Sequence, residues 1–306
     1  MYDQASTLRN LMSEINLERH KESSFNRGIQ RKTRIVLFTG GKGGIGKTLL
    51  TANVGSVISH KSTRVLLLGA DFGLANLDVV MNLPAEYSIE DVFSQKKDVM
   101  DVICKKAENL YLLPASSGFI GVNELSQANK YILMDQFENL PIHFDMIFID
   151  CPAGVSKNVQ QWAKFATEVL LITTPEPTSM ADAYATMKIL RHTSMVDRFK
   201  LVVNMTSSEE EAIRVFDRLS TVAFDHLSVK VTYMGFLASE QLIKQSIRER
   251  SVLVEKYPFS ESAKQFRSLG NSLLSDTEEE DQGNVTTQNV FWKQWISRNQ
   301  NEVNFN

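Results

Sequence analysis

Cysteine is almost missing from this sequence. Cys104 and Cys151 are the only two in 306 residues, and they form no C-x-x-C and no ligand cluster, which suits a reducing cytoplasm. Long apolar runs are missing as well. None approaches the ~20 residues that a membrane span needs, and no secretory signal is expected at the start. Any association with a membrane therefore has to come from something other than a spanning helix. Positive charge is not in excess: the net charge is −3, so no overall basicity draws the chain to nucleic acid or anionic lipid, although local patches stay open. No internal repeat is present. What remains is an ordinary soluble composition, 43% hydrophobic, long enough for one large α/β domain with extensions.

Three zones follow one another. Residues 1–33 are polar and charged apart from a short apolar pattern at the start. Residues 34–275 alternate strand-like apolar runs with helical patterns. The runs are Ile35–Phe38, Val65–Leu68, Leu110–Leu113, Met146–Ile149, Val169–Thr173, Leu201–Asn204 and Val231–Tyr233. Most are apolar at consecutive positions, as in parallel strands buried on both faces. Helix-length segments lie between them, which predicts βαβ units and an α/β, doubly wound, mostly parallel sheet with helices on both faces. Residues 276–306 open as an acidic linker, Asp276-Thr277-Glu278-Glu279-Glu280-Asp281.

The chemistry starts at Gly40-Gly41-Lys42-Gly43-Gly44-Ile45-Gly46-Lys47-Thr48, between an apolar run and a helical pattern. Gly41, Gly46, Lys47 and Thr48 satisfy G-x-x-x-x-G-K-[ST], the phosphate-binding loop of P-loop nucleotide hydrolases. Glycines let backbone N–H groups curl around phosphate oxygens, and the following helix points its positive end at them. Gly41 through Thr48, with Gly43, Gly44 and Ile45 inside the loop, are thus the expected phosphate-binding residues. Lys47 can neutralise the β and γ phosphates of ATP, and the Thr48 hydroxyl can ligate Mg²⁺. A second motif, Asp145-Met146-Ile147-Phe148-Ile149-Asp150-Cys151-Pro152, ends a buried strand in Asp150. In an open α/β sheet that position faces the ligand, so Asp150 is the second expected Mg²⁺ residue, through water. A cap on a turn is the alternative role for it.

Lys42 is more than a plain phosphate loop needs. K-G-G-I-G-K-T resembles the deviant Walker A motif of the MinD/ParA family of ATPases. The resemblance implies that Lys42 reaches a partner's nucleotide across an ATP-dependent homodimer. Val65–Asp78 is similar to that family's second aspartate motif, which implies that Asp71 orients or activates the attacking water. Lys42 and Asp71 are then the implied catalytic residues. The first aspartate of the family's D-A-D is Gly69 here, which removes a carboxylate near the metal and puts the hydrolysis rate in question. Asn204 matches an asparagine that contacts adenine in relatives. Gly235-Phe236-Leu237-Ala238-Ser239-Glu240 resembles G-x-[IL]-P-x-D with two replacements, so adenine-side contacts there stay open.

The two ends narrow the resemblance. Thr173-Thr174-Pro175-Glu176-Pro177-Thr178 resembles a segment of the flagellar members of the family, the FlhG subgroup. Asp3-Gln4-Ala5-Ser6-Thr7-Leu8-Arg9 resembles that subgroup's D-Q-A-x-x-L-R, which implies that Asp3, Gln4, Ala5, Leu8 and Arg9 bind and stimulate the FlhF GTPase. Leu8, Leu11, Met12 and Ile15 fall on one helical face; packing on the chain's own domain is the alternative. Phe291, Trp292, Trp295 and Ile296 gather on one side of a helical pattern with basic residues opposite, which suits a membrane interface; docking back onto the domain is the alternative. The resemblance implies a cytoplasmic protein bound peripherally to the inner face of the cell membrane, with flagellar C-ring components as further partners. Two rival readings stay open. One is a DNA-associated partition ATPase, against which the net charge and the lack of a helix-turn-helix extension count. The other is an ATP-binding scaffold with little hydrolysis, suggested by Gly69.

Overall fold

The computed structural model describes residues 33–71, 76–115 and 132–275, except 134, 138 and 165. All of them fall in one of the two units into which the chain divides, Thr33–Asn306. The proposed partner residues Asp3, Gln4, Ala5, Leu8 and Arg9 and the proposed membrane residues Phe291, Trp292, Trp295 and Ile296 lie outside the described residues.

The elements run β1 (Arg34–Thr39), α1 (Lys47–Ser59), β2 (Val65–Gly69), α2 (Leu77–Val80), α3 (Ile89–Phe93), α4 (Val99–Val102), β3 (Cys104–Ala107), β4 (Leu110–Leu113), β5 (Met146–Asp150), α5 (Lys157–Ala163), β6 (Glu168–Thr173), α6 (Pro177–Ser194), β7 (Arg198–Thr206), α7 (Glu209–Leu227), β8 (Lys230–Ala238), α8 (Gln241–Arg248), α9 (Leu253–Lys256) and α10 (Glu261–Ser275). Every apolar run singled out from the sequence lies in one of these strands. The eight strands form one sheet in the order β3-β4-β2-β5-β1-β6-β7-β8. Only the β3–β4 pair is antiparallel; the rest are parallel. The sheet is thus doubly wound, as expected. The strand β3 was not legible: Cys104-Lys105-Lys106-Ala107 is half exposed in alternation, so it carries no consecutive apolar signal.

Consecutive apolar residues follow from burial on both faces. Ile35 and Leu37 of β1 belong to a core shared with Trp162 of α5, Met187 of α6 and Leu219 of α7. Val36 and Phe38 belong to the opposite core, with Leu50 and Val54 of α1 and Phe266 of α10. Burying each such side chain contributes about 1.5–3 kcal/mol, and the alternation of strand side chains assigns them to the two cores. Helix ends are fixed locally. Ser208 caps α7 by accepting from Glu211 N at 3.3 Å, and Glu209, Glu210 and Glu211 in its first turn suit the helix dipole.

One buried charge cluster ties β1, β6 and β7 together. Arg34 donates twice to Glu168, Nε to Oε1 at 2.6 Å and Nη2 to Oε2 at 2.8 Å. Lys200 Nζ adds a third bond to Oε2 at 2.7 Å. Burial pushes the Glu168 carboxyl up, but the bonds and charge of Arg34, with Lys200, outweigh it and hold it below the usual carboxylate range.

The strand order reverses at β1. The chain builds outward through β2 and β4 on one side, returns to β5, then builds through β6, β7 and β8 on the other. A crevice at the carboxyl ends of β1, β5 and β6 is where such a sheet binds its ligand.

Candidate functional site

The loop Gly40–Gly46 lies in that crevice, joining β1 to α1. Gly46 is the N-cap of α1 at φ 88°, with no side-chain cap. That left-handed backbone is the one glycine adopts without penalty, and it leaves the first N–H groups of α1 open to a ligand. Gly41 is required for a different reason: a Cβ there would lie 2.6 Å from the backbone carbonyl carbon and oxygen of Asp182. Helix α6 therefore packs directly on the loop. It begins at Pro177, which places Asp182 in its second turn rather than its first.

Lys47 is buried (8% exposed), and its Nζ lies 3.4 Å from the Lys42 carbonyl oxygen. Burial holds its amine below the usual lysine range, opposed by the charges of Asp150 and Asp71. The Thr48 hydroxyl donates to Asp150 Oδ2 at 2.7 Å. Asp150 closes β5, in register with Phe38 of β1 and Gly69 of β2. Burial pushes its carboxyl up to about 7, against the Thr48 bond and the Lys47 charge. Its other oxygen, Oδ1, is buried without a hydrogen-bond partner. An orphaned anionic oxygen beside a hydroxyl fits a hard cation, and Mg²⁺ takes few protein oxygens because phosphates and water complete its shell. Asp71 follows β2, and burial pushes its carboxyl up too, opposed by Lys47. The structure thus gathers Lys47, Thr48, Asp71 and Asp150, separated by up to about a hundred residues in sequence, around one basic group.

Lys42 does not join them. Its side chain is 41% exposed, and its Nζ pairs with Glu176 Oε2 at 2.5 Å, with Thr178 Oγ1 at 3.4 Å. Asn204, at the end of β7, is buried. Its Nδ2 donates to the Ile45 carbonyl at 2.8 Å, and its Oδ1 accepts from Met205 N at 2.8 Å. The amide braces the phosphate loop. Beyond the loop, an open cleft of about 310 Å³ is lined by Thr174–Glu176, Met205–Ser207, Glu211 and Ser239. Sequence reasoning gave no role to these residues, although Glu176 lay inside a motif it singled out. Glu240 faces elsewhere: its carboxylate accepts from Ser262 N at 3.0 Å, capping α10.

A family model described as an AAA domain matches residues 33–204. The chain is 30% identical over 248 residues to the antiactivator FleN of Pseudomonas aeruginosa, covering 81% of this chain and 89% of FleN. It is 32% identical over 281 residues to the flagellum site-determining protein YlxH of Helicobacter pylori, covering 90% and 92%. Among solved structures, the septum site-determining protein MinD of Pyrococcus horikoshii, complexed with Mg-ADP, superposes with a TM-score of 0.64 at 22% identity, covering 83% of this chain and 100% of MinD.

The chain belongs to the MinD/ParA family of P-loop ATPases.

As a member of this family it is an ATPase, and the loop, helix α1 and the carboxylates at the ends of β2 and β5 take on their chemical meaning. The loop's open N–H groups and the α1 dipole suit phosphate oxygens. Lys47 supplies a desolvated positive charge to the same place, where it acts at low dielectric. In this family member no helix among the described residues is long and apolar enough to cross a membrane.

Proposed function

We propose that this ATPase is a dimerising switch that regulates the number and placement of flagella. The names of its relatives FleN and YlxH support the flagellar setting. One observation carries the switch: the family's second lysine, Lys42, is exposed and turned away from Lys47, Thr48 and Asp150, held by Glu176 at 2.5 Å. Lys47 already serves the phosphates of the same chain, so Lys42 is free to serve those of another.

In this reading Gly41–Thr48 cradle the phosphates of ATP, and Asn204 keeps the loop in place. Thr48 and Asp150 hold Mg²⁺, which when bound screens phosphate charge and bridges phosphate oxygens. Asp71 positions the attacking water and accepts its proton, which its raised affinity for protons favours. Lys42 of a partner subunit would complete the charge around the γ-phosphate. Gly69 leaves the metal's surroundings one carboxylate short, which makes hydrolysis slow while binding persists. ATP must favour the dimer over the single chain for the switch to work. The dimer then engages the inner membrane face through Phe291, Trp292, Trp295 and Ile296, two weak anchors acting together. The segment carrying Asp3, Gln4, Ala5, Leu8 and Arg9 stimulates FlhF, and flagellar C-ring components are the downstream partners.

Sedimentation with ADP and then with ATP and Mg²⁺ tests the core of this proposal. The wild-type chain is expected to dimerise only with ATP. Lys42→Ala is expected to keep ATP affinity and lose the dimer. Collapse of nucleotide affinity with dimers still present would refute the role of Lys42 between subunits.

A further inference from the structure

Met205 is an apolar side chain left 48% exposed on a backbone at φ 58°, a left-handed conformation that residues with a Cβ seldom take. Two features hold it there. The β7–β8 register shifts between Asn204 and Thr206, so Met205 drops out of the ladder. The Met205 N–H is instead taken by Asn204 Oδ1 at 2.8 Å. Strain maintained in this way, beside a ligand site, is a reason to look for a function.

Met205 and Pro175 are the apolar side chains among those lining the open cleft of about 310 Å³ next to the phosphate loop. They come from adjacent loops, after β6 and at the end of β7. Thr174 adds a hydroxyl that is buried and has no hydrogen-bond partner. Thus the cleft offers an apolar wall, a spare polar group and the carboxylates of Glu176 and Glu211. A flat heteroaromatic ring with polar edges is the ligand that such a cleft suits. The thioether is unbranched and polarisable, and sulfur makes favourable contacts with aromatic rings.

We infer that Met205 is the platform on which the nucleotide's base lies, and that Asn204 sets its distance from the phosphate loop. The inference rests on the ATP reading above and deepens it. The Asn204 amide holds both ends: Oδ1 fixes Met205, and Nδ2 fixes the Ile45 carbonyl inside the phosphate loop at 2.8 Å. Base and phosphates are therefore gripped by surfaces that share one buried brace. A platform reads the face of a ring and not its edge, so Met205 adds affinity for the base with little preference between adenine and guanine.

Calorimetric titration of the full chain in Mg²⁺ separates these roles, using ATP, GTP and inorganic tripolyphosphate, which has no base. Met205→Ala is expected to weaken ATP and GTP by similar factors, roughly two- to tenfold for a sulfur–ring contact, and to leave tripolyphosphate unchanged. Met205→Leu should recover most of the loss, since it restores the apolar wall. Asn204→Ala should weaken all three ligands, because it also releases the phosphate loop. A Met205→Ala variant that loses ATP and tripolyphosphate in equal proportion would make Met205 a strut of the loop and overturn the inference. So would one that loses neither. A wild-type chain that binds tripolyphosphate as tightly as ATP would remove the base site altogether. A wild-type chain that binds neither would refute the ATP reading itself, a result distinct from the others.

Discussion

Replacing Asp150 with asparagine should make the metal-free, nucleotide-free protein more stable at pH 8, although it removes an Mg²⁺ ligand. Most single substitutions destabilise, so the direction is distinctive. The carboxyl is 4% exposed, and burial pushes it from an ordinary 3.8 up to about 7. Below pH 3.8 both folded and unfolded chains carry the proton, and nothing is lost. Between 3.8 and about 7 the unfolded chain releases the proton more readily, so folding becomes progressively less favourable. Above pH 7 the loss is complete, about 4 kcal/mol at ~1.4 kcal/mol per pH unit. Asparagine keeps the shape and can still accept the Thr48 hydroxyl, but it takes a counter-charge from Lys47, which offsets part of the gain. The expected net stabilisation is about 2–3 kcal/mol at pH 8 and close to zero at pH 5. Urea denaturation in EDTA at both pH values, followed by circular dichroism, measures it. With ATP and Mg²⁺ added the order should narrow or reverse, because the wild type gains more binding energy. A variant no more stable than wild type at pH 8 in EDTA, or equally stabilised at both pH values, would refute the reasoning.

Glu168→Gln breaks the cluster with Arg34 and Lys200 at the end of β6 away from the phosphate loop, and should cost about 3–5 kcal/mol in urea denaturation. Because the Glu168 carboxyl is held below its ordinary 4.5, its contribution is present above that value and lost as pH falls through the lower folded-state value. The wild type should therefore lose stability on acidification in a window where the glutamine variant does not. Gly41→Ala drives a Cβ into the Asp182 backbone, whereas a Cβ at Gly43 meets nothing within 4 Å; the first should lower both melting temperature and ATP affinity, the latter more than tenfold (about 1.4 kcal/mol), and the second should preserve the melting temperature. Asp71→Ala should abolish phosphate release while sparing ATP binding, and Gly69→Asp should raise turnover severalfold. A Cβ at Gly69 lies 3.3 Å from Ala115 N, so Gly69→Ala is the control for crowding; equal rates in all these chains would mean Asp71 does not act on water.

The sheet was legible because burial on both faces writes consecutive apolar letters, as in Ile35–Phe38 and Met146–Ile149. Edge strand β3 was hidden by Lys105 and Lys106, which face solvent in turn. The phosphate loop was legible because Gly46, Lys47 and Thr48 are neighbours in sequence as well as in space. The Thr48–Asp150 bond required only that one strand end lie beside that loop, which strand order could suggest. Other contacts left no trace in the chain's periodicity. Lys42 and Glu176 are 134 positions apart, and nothing in either segment announces the pairing. Asn204 was read for its amide's two-sided hydrogen bonding, and both sides are engaged, with the Ile45 carbonyl and the Met205 N–H. Glu240 stands where an adenine contact was open, and it serves the N-terminus of α10. Such choices depend on distances of a few tenths of an ångström, which a pattern of residue types does not encode.

The position of β1 in the sheet has a consequence for biosynthesis. Its six residues are the first strand to leave the ribosome, yet its neighbours in the sheet are β5 and β6. At about 5–20 residues per second, the strand waits roughly ten seconds for Met146–Asp150 to be made. Throughout that interval Ile35, Val36, Leu37 and Phe38 have neither partner strand, and both edges of the segment can pair with another nascent chain. Asn204, which braces the loop, arrives later still. The phosphate loop is therefore translated early and becomes competent late, so nucleotide cannot rescue the growing chain. Protection in that window falls to chaperones, and slower synthesis between residues 40 and 146 would lengthen the exposure rather than help the fold.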